Sequence, residues 1–297
     1  MKYASTSLLT DDIKKKIRQI TIHTKRTLRG MLIGDTRSAQ KGVGFEFDQL
    51  REYQVGDDVR CIDWNATSRT GSLLVKQYIE ERSRTIFLAV DVSASSHFGS
   101  SVHTKKDRWN EIASILALVA GRGNDLIGLI LFTDEVELYI PPRRGTAHVM
   151  TIIEHIFTYT PQRKKSSYMT VFSYLLKQRK KHALVFIVSD FIVQCETERQ
   201  SSASIKAIAA TCDVVAVRYL DQREKRFVDV GVIELEDIET GQCVSVDTQY
   251  LSPLWYEQRI AEQNRLFKKW RCGVIDLVDN RCMASDIVLF FKRRMQY

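Results

Sequence analysis

No apolar run in the 297 residues approaches the roughly 18 needed to cross a bilayer. The longest, such as Leu126–Phe132, are the size of a strand. The opening Met1-Lys2-Tyr3-Ala4 leads into polar and charged residues. It offers no signal-peptide core, so a cytoplasmic address is expected. The six cysteines (Cys61, Cys195, Cys212, Cys243, Cys272 and Cys282) contain no C-x-x-C pair, which excludes a zinc ribbon and a thioredoxin-type redox motif. Most have apolar neighbours and read as core thiols of a reducing compartment. Also missing are G-x-x-x-x-G-K-[ST], a G-x-G-x-x-G opening a helix, H-E-x-x-H and G-x-S-x-G. The histidines (His23, His97, His103, His148, His155 and His182) are dispersed. No internal repeat or low-complexity tract is visible. The chain is therefore expected not to be an enzyme.

What is present is a core-forming composition. A hydrophobic share of 44% suits a globular protein with a large buried core. The length suits one full α/β domain with a smaller appendage. The net charge of +8 is a local feature. Residues 1–41 hold ten Lys and Arg against three Asp and Glu, whereas residues 214–297 balance at thirteen each. Aromatics are not interleaved with the basic residues, as a base-stacking surface would need. A solvated helix face is thus favoured over a nucleic-acid site.

Ile13, Ile17, Ile20, Leu28 and Met31 recur at helical spacing, and Thr10 with Asp11 and Asp12 makes a capped start. An amphipathic helix is expected over 11–32. Residues 41–84 carry no clean period and read as an extended, partly stranded arm. From Arg84 the pattern changes. Thr85–Val92, Leu126–Thr133, Ala183–Ser189, Asp213–Leu220 and Gly273–Leu277 are apolar runs without alternation. Helices are expected between them at about 107–121, 146–158, 168–180, 200–210 and 252–270, with a last one over Met283–Arg294. Val136–Ile140 reads as a hairpin strand that Pro141-Pro142 breaks off. Such runs mean a parallel sheet covered on both faces. The expected fold is α/β, a doubly wound, mostly parallel sheet over 85–297. Residues 1–84 add a helix and arm packed on that core, and 227–248 add a β-hairpin with a Glu239-Thr240-Gly241 turn.

Ligands of a doubly wound sheet bind at the carboxyl ends of its strands. Asp91-Val-Ser-Ala-Ser95 lies at one such end, and alternation in an extended segment turns Asp91, Ser93 and Ser95 the same way. One carboxylate and two hydroxyls are hard donors suited to Mg²⁺, with Mn²⁺ or Ca²⁺ as alternatives. Asp190 closes the strand Ala183–Ser189 at the same rim. A further hydroxyl is available from Ser166, Ser167 or Thr170. His97 and His103 lie near this rim as well, where loop solvation is the simpler reading.

In the arm, Glu46, Arg51, Asp57, Asp58, Arg60, Asp63 and Trp64 place both charge signs in a short stretch beside aromatics. Planar Arg51 and Arg60 suit bidentate carboxylate contacts. A structural ion-pair network is favoured over a paired-carboxylate active site of the glycosidase kind, since nothing in the sequence builds a cleft there.

Asp91-Val-Ser-Ala-Ser95 followed by Ser189-Asp190-Phe191 resembles the metal-ion-dependent adhesion site of von Willebrand factor A domains. Gly42-Val-Gly-Phe-Glu-Phe-Asp-Gln-Leu-Arg-Glu-Tyr53, Gly56-Asp-Asp-Val-Arg60, Ile62-Asp-Trp-Asn65, Val75-Lys-Gln-Tyr-Ile-Glu-Glu-Arg82 and Pro141-Pro-Arg-Arg-Gly145 resemble the signature of a bacterial family named "domain of unknown function 58". That resemblance implies a von Willebrand A-like core and an association with an AAA+ ATPase of the MoxR type. The adhesion-site resemblance implies that Asp91, Ser93, Ser95 and Asp190 serve the metal, with Ser166 standing where such sites have a second-loop threonine. The expected function is a metal-dependent, adaptor-type protein-binding module whose partner completes the metal shell with a carboxylate. The alternatives are a metal-dependent phosphoesterase, or binding of anionic membrane or nucleic acid by the basic helix at Lys14, Lys15, Lys16, Arg18, Lys25, Arg26 and Arg29.

Overall fold

A computed structural model describes residues 11–32, 41–42, 46–79, 84–99, 104–122, 125–178, 183–191, 207–219, 231–236, 241–248, 255–277 and 283–295. The chain divides into two compact units, Met1–Met31 with Arg84–Arg294, and Leu32–Ser83 with Met295–Tyr297. The N-terminal helix therefore groups with the large unit. Its apolar stripe is the reason. In α1 (Asp11–Leu32), Ile17 and Ile20 pack against the core of the large unit, and Lys16 reaches Asp107 at 3.0 Å. The Thr10 cap lies outside the described residues.

The large unit is built on a six-stranded sheet of order β11-β8-β7-β4-β5-β6. Its strands are β4 (Thr85–Asp91), β5 (Leu126–Phe132), β6 (Val136–Arg143), β7 (Ala183–Ser189), β8 (Asp213–Tyr219) and β11 (Gly273–Leu277). All neighbours are parallel except β5 and β6. In β4, Ile86, Leu88 and Val90 enter one apolar cluster, with α3 (Lys105–Arg122), α4 (Thr146–Thr158) and the helix Met283–Met295. Phe87 and Ala89 enter the other, with α5 (Tyr168–Lys177) and residues Phe267 and Trp270 at the end of the helix Trp255–Lys269. Alternate side chains thus go to two dry faces, which is why the strands read as unbroken apolar runs. This is the doubly wound, mostly parallel α/β sheet that the sequence led one to expect.

The prolines do not end β6. Between the pairs Ile127↔Arg143 and Leu129↔Ile140, Pro141 and Pro142 face the single residue Gly128. They form a bulge on an edge strand, where a missing N–H costs no ladder bond. Gly128 is there because the space is taken. A Cβ on it would lie 3.0 Å from the Ile140 carbonyl oxygen and 3.0 Å from the Phe87 ring. Gly128→Ala is expected to cost about 1–3 kcal/mol by overpacking. A urea midpoint equal to that of the wild type would contradict this.

The expected hairpin is formed by β9 (Val232–Glu236) and β10 (Cys243–Asp247), paired antiparallel. Glu239 and Thr240 of its turn lie outside the described residues, as does most of the helix expected near 200–210. The arm is more ordered than its pattern suggests. β1 (Lys41–Gly42), β2 (Glu46–Glu52) and β3 (Leu74–Ile79) make an antiparallel sheet of order β1-β3-β2. A short helix α2 (Trp64–Thr70) precedes β3. The register slips between Phe47 and Gln49, and that irregularity destroys the period-two signal.

Candidate functional site at the β4–β7 rim

The strand order places β4 between β5 and β7, so its C-terminal end is where successive connections leave in opposite directions. Such a switch point leaves a crevice beyond the strand ends. Asp91 ends β4 and is 1% exposed. Three donors converge on its carboxylate. The Ser93 backbone N–H donates to Oδ1 at 2.9 Å. The Ser166 and Ser189 hydroxyls both donate to Oδ2, at 2.5 and 2.9 Å. Ser93 Oγ lies 3.1 Å from Ser95 Oγ. Burial first, and the neighbouring Asp190 charge second, push the Asp91 carboxyl above the usual range, while the Ser166 and Ser93 donors pull it back.

All five residues expected at the rim are therefore brought together. Ser166 is the second-loop hydroxyl at Asp91. Thr170 instead donates to the Asp134 carbonyl at 2.8 Å, and Ser167 is held by its backbone N–H on the Thr133 carbonyl at 3.0 Å. His97 is exposed, with Nδ1 3.3 Å from Ser96 Oγ, in keeping with loop solvation. His103 lies outside the described residues.

Three participants were not foreseen. Ser189 donates to Asp91 alongside Ser166. Lys105, the first residue of α3, sends its ammonium to Asp190 Oδ2 at 2.9 Å, with both side chains buried. That ammonium also lies 5.6 Å from the centre of the Phe98 ring. Glu137, on β6, organises the loop that carries Ser166. Its Oε1 accepts from Thr133 Oγ1 and the Arg163 N–H, and its Oε2 from the Tyr159 hydroxyl and the Gln162 N–H, all between 2.9 and 3.1 Å. The same loop is tied to the Asp91 segment by the Ala94 N–H on the Lys164 carbonyl at 2.9 Å. On the other side, Phe191 has a left-handed backbone (φ 55°). Its carbonyl accepts from Gln263, and the Gln263 amide oxygen in turn accepts from the buried Arg218. The Asp190 turn is thereby pinned from β8.

The donor chemistry fits a hard divalent cation. The Ser166 hydroxyl donates to Asp91 and keeps its lone pairs for a metal, and Ser93, Ser95 and the Asp91 carboxylate beside it add only oxygen donors. Asp190 fits less well, because Lys105 already holds one of its oxygens. Among the described residues no three His, Cys, Asp or Glu side chains gather into a ligand set, so a cation here would depend on the hydroxyls.

The arm network is real in part. Arg51 binds Asp57 through two hydrogen bonds of 2.7 and 2.6 Å, which lower the Asp57 carboxyl and raise the guanidinium. Asp58 accepts from the Arg60 N–H at 2.9 Å. Asp63 caps α2 through the Asn65 and Ala66 N–H groups and lies 3.3 Å from Lys76 Nζ. These contacts shape the turns of the arm. Trp64 does not join them, since its side chain opens α2 and is 66% exposed. The side chain of Glu46 lies outside the described residues.

Comparison with known proteins agrees with the fold. An uncharacterized protein of Mycobacterium tuberculosis (Rv1480) is 31% identical over 227 residues, which is 76% of this chain and 70% of that protein. The structure of BatB from Bacteroides thetaiotaomicron superposes with a TM-score of 0.50 at 11% identity, covering 72% of this chain and 98% of that one, a likeness of fold alone. The SpRpn10 VWA domain gives a TM-score of 0.38 at 11% identity over 69% of this chain and 94% of its own. The family described as "Protein of unknown function DUF58" matches residues 49–265. Since that match runs from the arm through the whole rim to the helix Trp255–Lys269, the chain belongs to the DUF58 family.

Proposed function

We propose that this chain is a non-catalytic, adaptor-type module that binds a partner protein through a divalent cation, Mg²⁺ first, at the β4–β7 rim. The observation that carries this reading is the convergence of Ser93, Ser166 and Ser189 on the buried Asp91. Formal charge explains why a cation is needed. Counted on Asp91, Asp190 and Lys105 alone, the formal charge is −1, and a divalent ion on that group reverses the sign in favour of a partner carboxylate. A MoxR-type AAA+ ATPase as partner belongs to the same proposal and rests on the family resemblance, while a cytoplasmic setting rests on the sequence pattern.

Stability gives a direct test. A raised carboxyl pKa means that the metal-free fold is favoured below the ordinary Asp range and loses that advantage as pH rises through the folded-state value. At neutral pH Asp91 is therefore a burden that a cation relieves. Mg²⁺ is expected to raise the Tm of the wild type. Asp91→Asn should melt about 2–4 °C above the chelated wild type, the shift that about 1 kcal/mol produces in a domain of this size. It should then be indifferent to Mg²⁺. A wild type whose Tm ignores Mg²⁺ and EDTA alike would sink the reading.

One observation favours a second reading. In α1 Lys14, Lys15, Arg18, Lys25 and Arg26 are exposed, a basic surface suited to anionic lipid or nucleic acid. Binding through that face would collapse with salt and would not respond to chelation. A metal-dependent phosphoesterase is the third reading, and turnover of phosphoesters with Mn²⁺ would reveal it.

A further inference from the structure

A lysine in the first turn of a helix sits against the positive end of the helix dipole, and a lysine with a 1% exposed side chain also gives up its hydration. Lys105 bears both costs at the start of α3, and it does so 2.9 Å from Asp190 Oδ2. Asp190 in turn is close enough to Asp91 for its charge to raise the Asp91 carboxyl. The rim thus carries one positive and two negative groups, with Lys105 on Asp190 and Asp190 beside Asp91 among its hydroxyls. Asp190 faces the ammonium, whereas Asp91 faces only hydroxyl and N–H donors among the contacts described. We infer that Lys105 is the fixed counter-charge of this rim, withholding Asp190 from a bound cation so that the cation keeps a net positive charge for a carboxylate of the partner.

The inference rests on the metal reading above and adds how the site is set. With Lys105 in place, a divalent ion on Asp91 leaves the group of Lys105, Asp190, Asp91 and metal at +1. Without Lys105 the same group is neutral, the ion binds more tightly, and its pull on an incoming carboxylate is lost. The residue tunes affinity for the metal and appetite for the partner in opposite directions.

The test uses the full chain with Mn²⁺ alone as the first probe and acetate, added to the Mn²⁺-loaded protein, as the second. Binding of Mn²⁺ is followed by the paramagnetic resonance of the free ion, and folding by circular dichroism. Lys105→Met is expected to bind Mn²⁺ about tenfold more tightly or better, and to lose the broadening of acetate signals that the wild type produces. Lys105→Met/Asp190→Asn, which removes one charge of each sign and so guards against misfolding of the single variant, should bind Mn²⁺ within about threefold of the wild type. Unchanged or weaker Mn²⁺ binding by a folded Lys105→Met would overturn the inference, and so would a double variant that has lost the ion, since Asp190 would then be a ligand. A wild type that takes no Mn²⁺ while Lys105→Met does would defeat the metal-dependent function and, with it, the inference, since the wild type would then hold no cation for Lys105 to set. Failure of both proteins to bind would defeat both ideas.

Discussion

Asp190→Leu is expected to cost about 3–5 kcal/mol, because it strips the carboxylate from a buried ammonium. The pair is enclosed at 2.9 Å, with Lys105 and Asp190 side chains 1% and 6% exposed. In such a setting the attraction within the pair roughly repays the desolvation of both members. Removing one member leaves the other's desolvation unrepaid. Lys105→Met/Asp190→Leu should accordingly recover most of the loss, since methionine and leucine put apolar volume where two buried charges stood. Urea unfolding of the four proteins in EDTA measures the cycle, with a coupling of about 2 kcal/mol or more as the expected outcome. Simple additivity of the two single substitutions would show that Lys105 and Asp190 do not act as a pair. The surface pair Lys14–Asp11, exposed and 3.3 Å apart, makes a control. Its removal should fall within about 1 kcal/mol.

This pair also shows where sequence reasoning ran out. The strands of the large unit were legible because burial on both faces leaves no polar alternation to blur them; Ala183–Ser189 and Gly273–Leu277 fall where the pattern puts them. Asp91 and Asp190 were legible because a strand end is a fixed place in a doubly wound sheet. Lys105 was not, since the sequence pattern starts this helix at about 107 and leaves Lys105 in the polar approach to it, whereas the helix begins at Lys105 itself. Ser189 was passed over as part of a strand, although its side chain donates to Asp91 Oδ2 as Ser166 does. Pro141 and Pro142 misled for a physical reason: proline breaks a central strand, but β6 is an edge and the two prolines share a bulge. The arm was obscure because its sheet carries a slip at Phe47 and leaves Leu50, Val55, Val59, Trp64 and Leu73 exposed. Apolar positions that are not buried carry no period.

Glu137 gave no signal in the sequence at all, yet its loss is the other change expected to be large. One carboxylate accepts four hydrogen bonds, two from the backbone of residues 162 and 163 and two from the hydroxyls of Thr133 and Tyr159. Bonds to a charged acceptor are the strong ones, and no single water could replace all four at once. Burial pushes the Glu137 carboxyl up, but the donors, led by the Gln162 N–H, outweigh it and hold the group below its ordinary value. The partner effect appears on Tyr159, whose hydroxyl is pushed up to about 12 by burial and by its bond to Glu137. A lowered carboxyl pKa means that the stabilisation is complete above the ordinary Glu range and disappears as pH falls through the depressed value. The loop from Tyr159 to Ser167 should therefore loosen in acid before the sheet does. Glu137→Ala should do the same at neutral pH, lowering the cost of opening this loop by about 2–4 kcal/mol. Hydrogen exchange at residues 162–167 would then accelerate by about 30- to 700-fold, while amides of β4 and β7 keep their protection. Glu137→Gln, which retains two lone pairs but loses the charge, should fall between. Because Ser166 reaches Asp91 from this loop, any affinity of the rim for Mn²⁺ should drop along with the protection of the loop. Exchange in residues 162–167 that is the same in Glu137→Ala and in the wild type would mean that the Ser166 loop is held by its contacts to Thr133 and Ala94, and that Glu137 is a bystander.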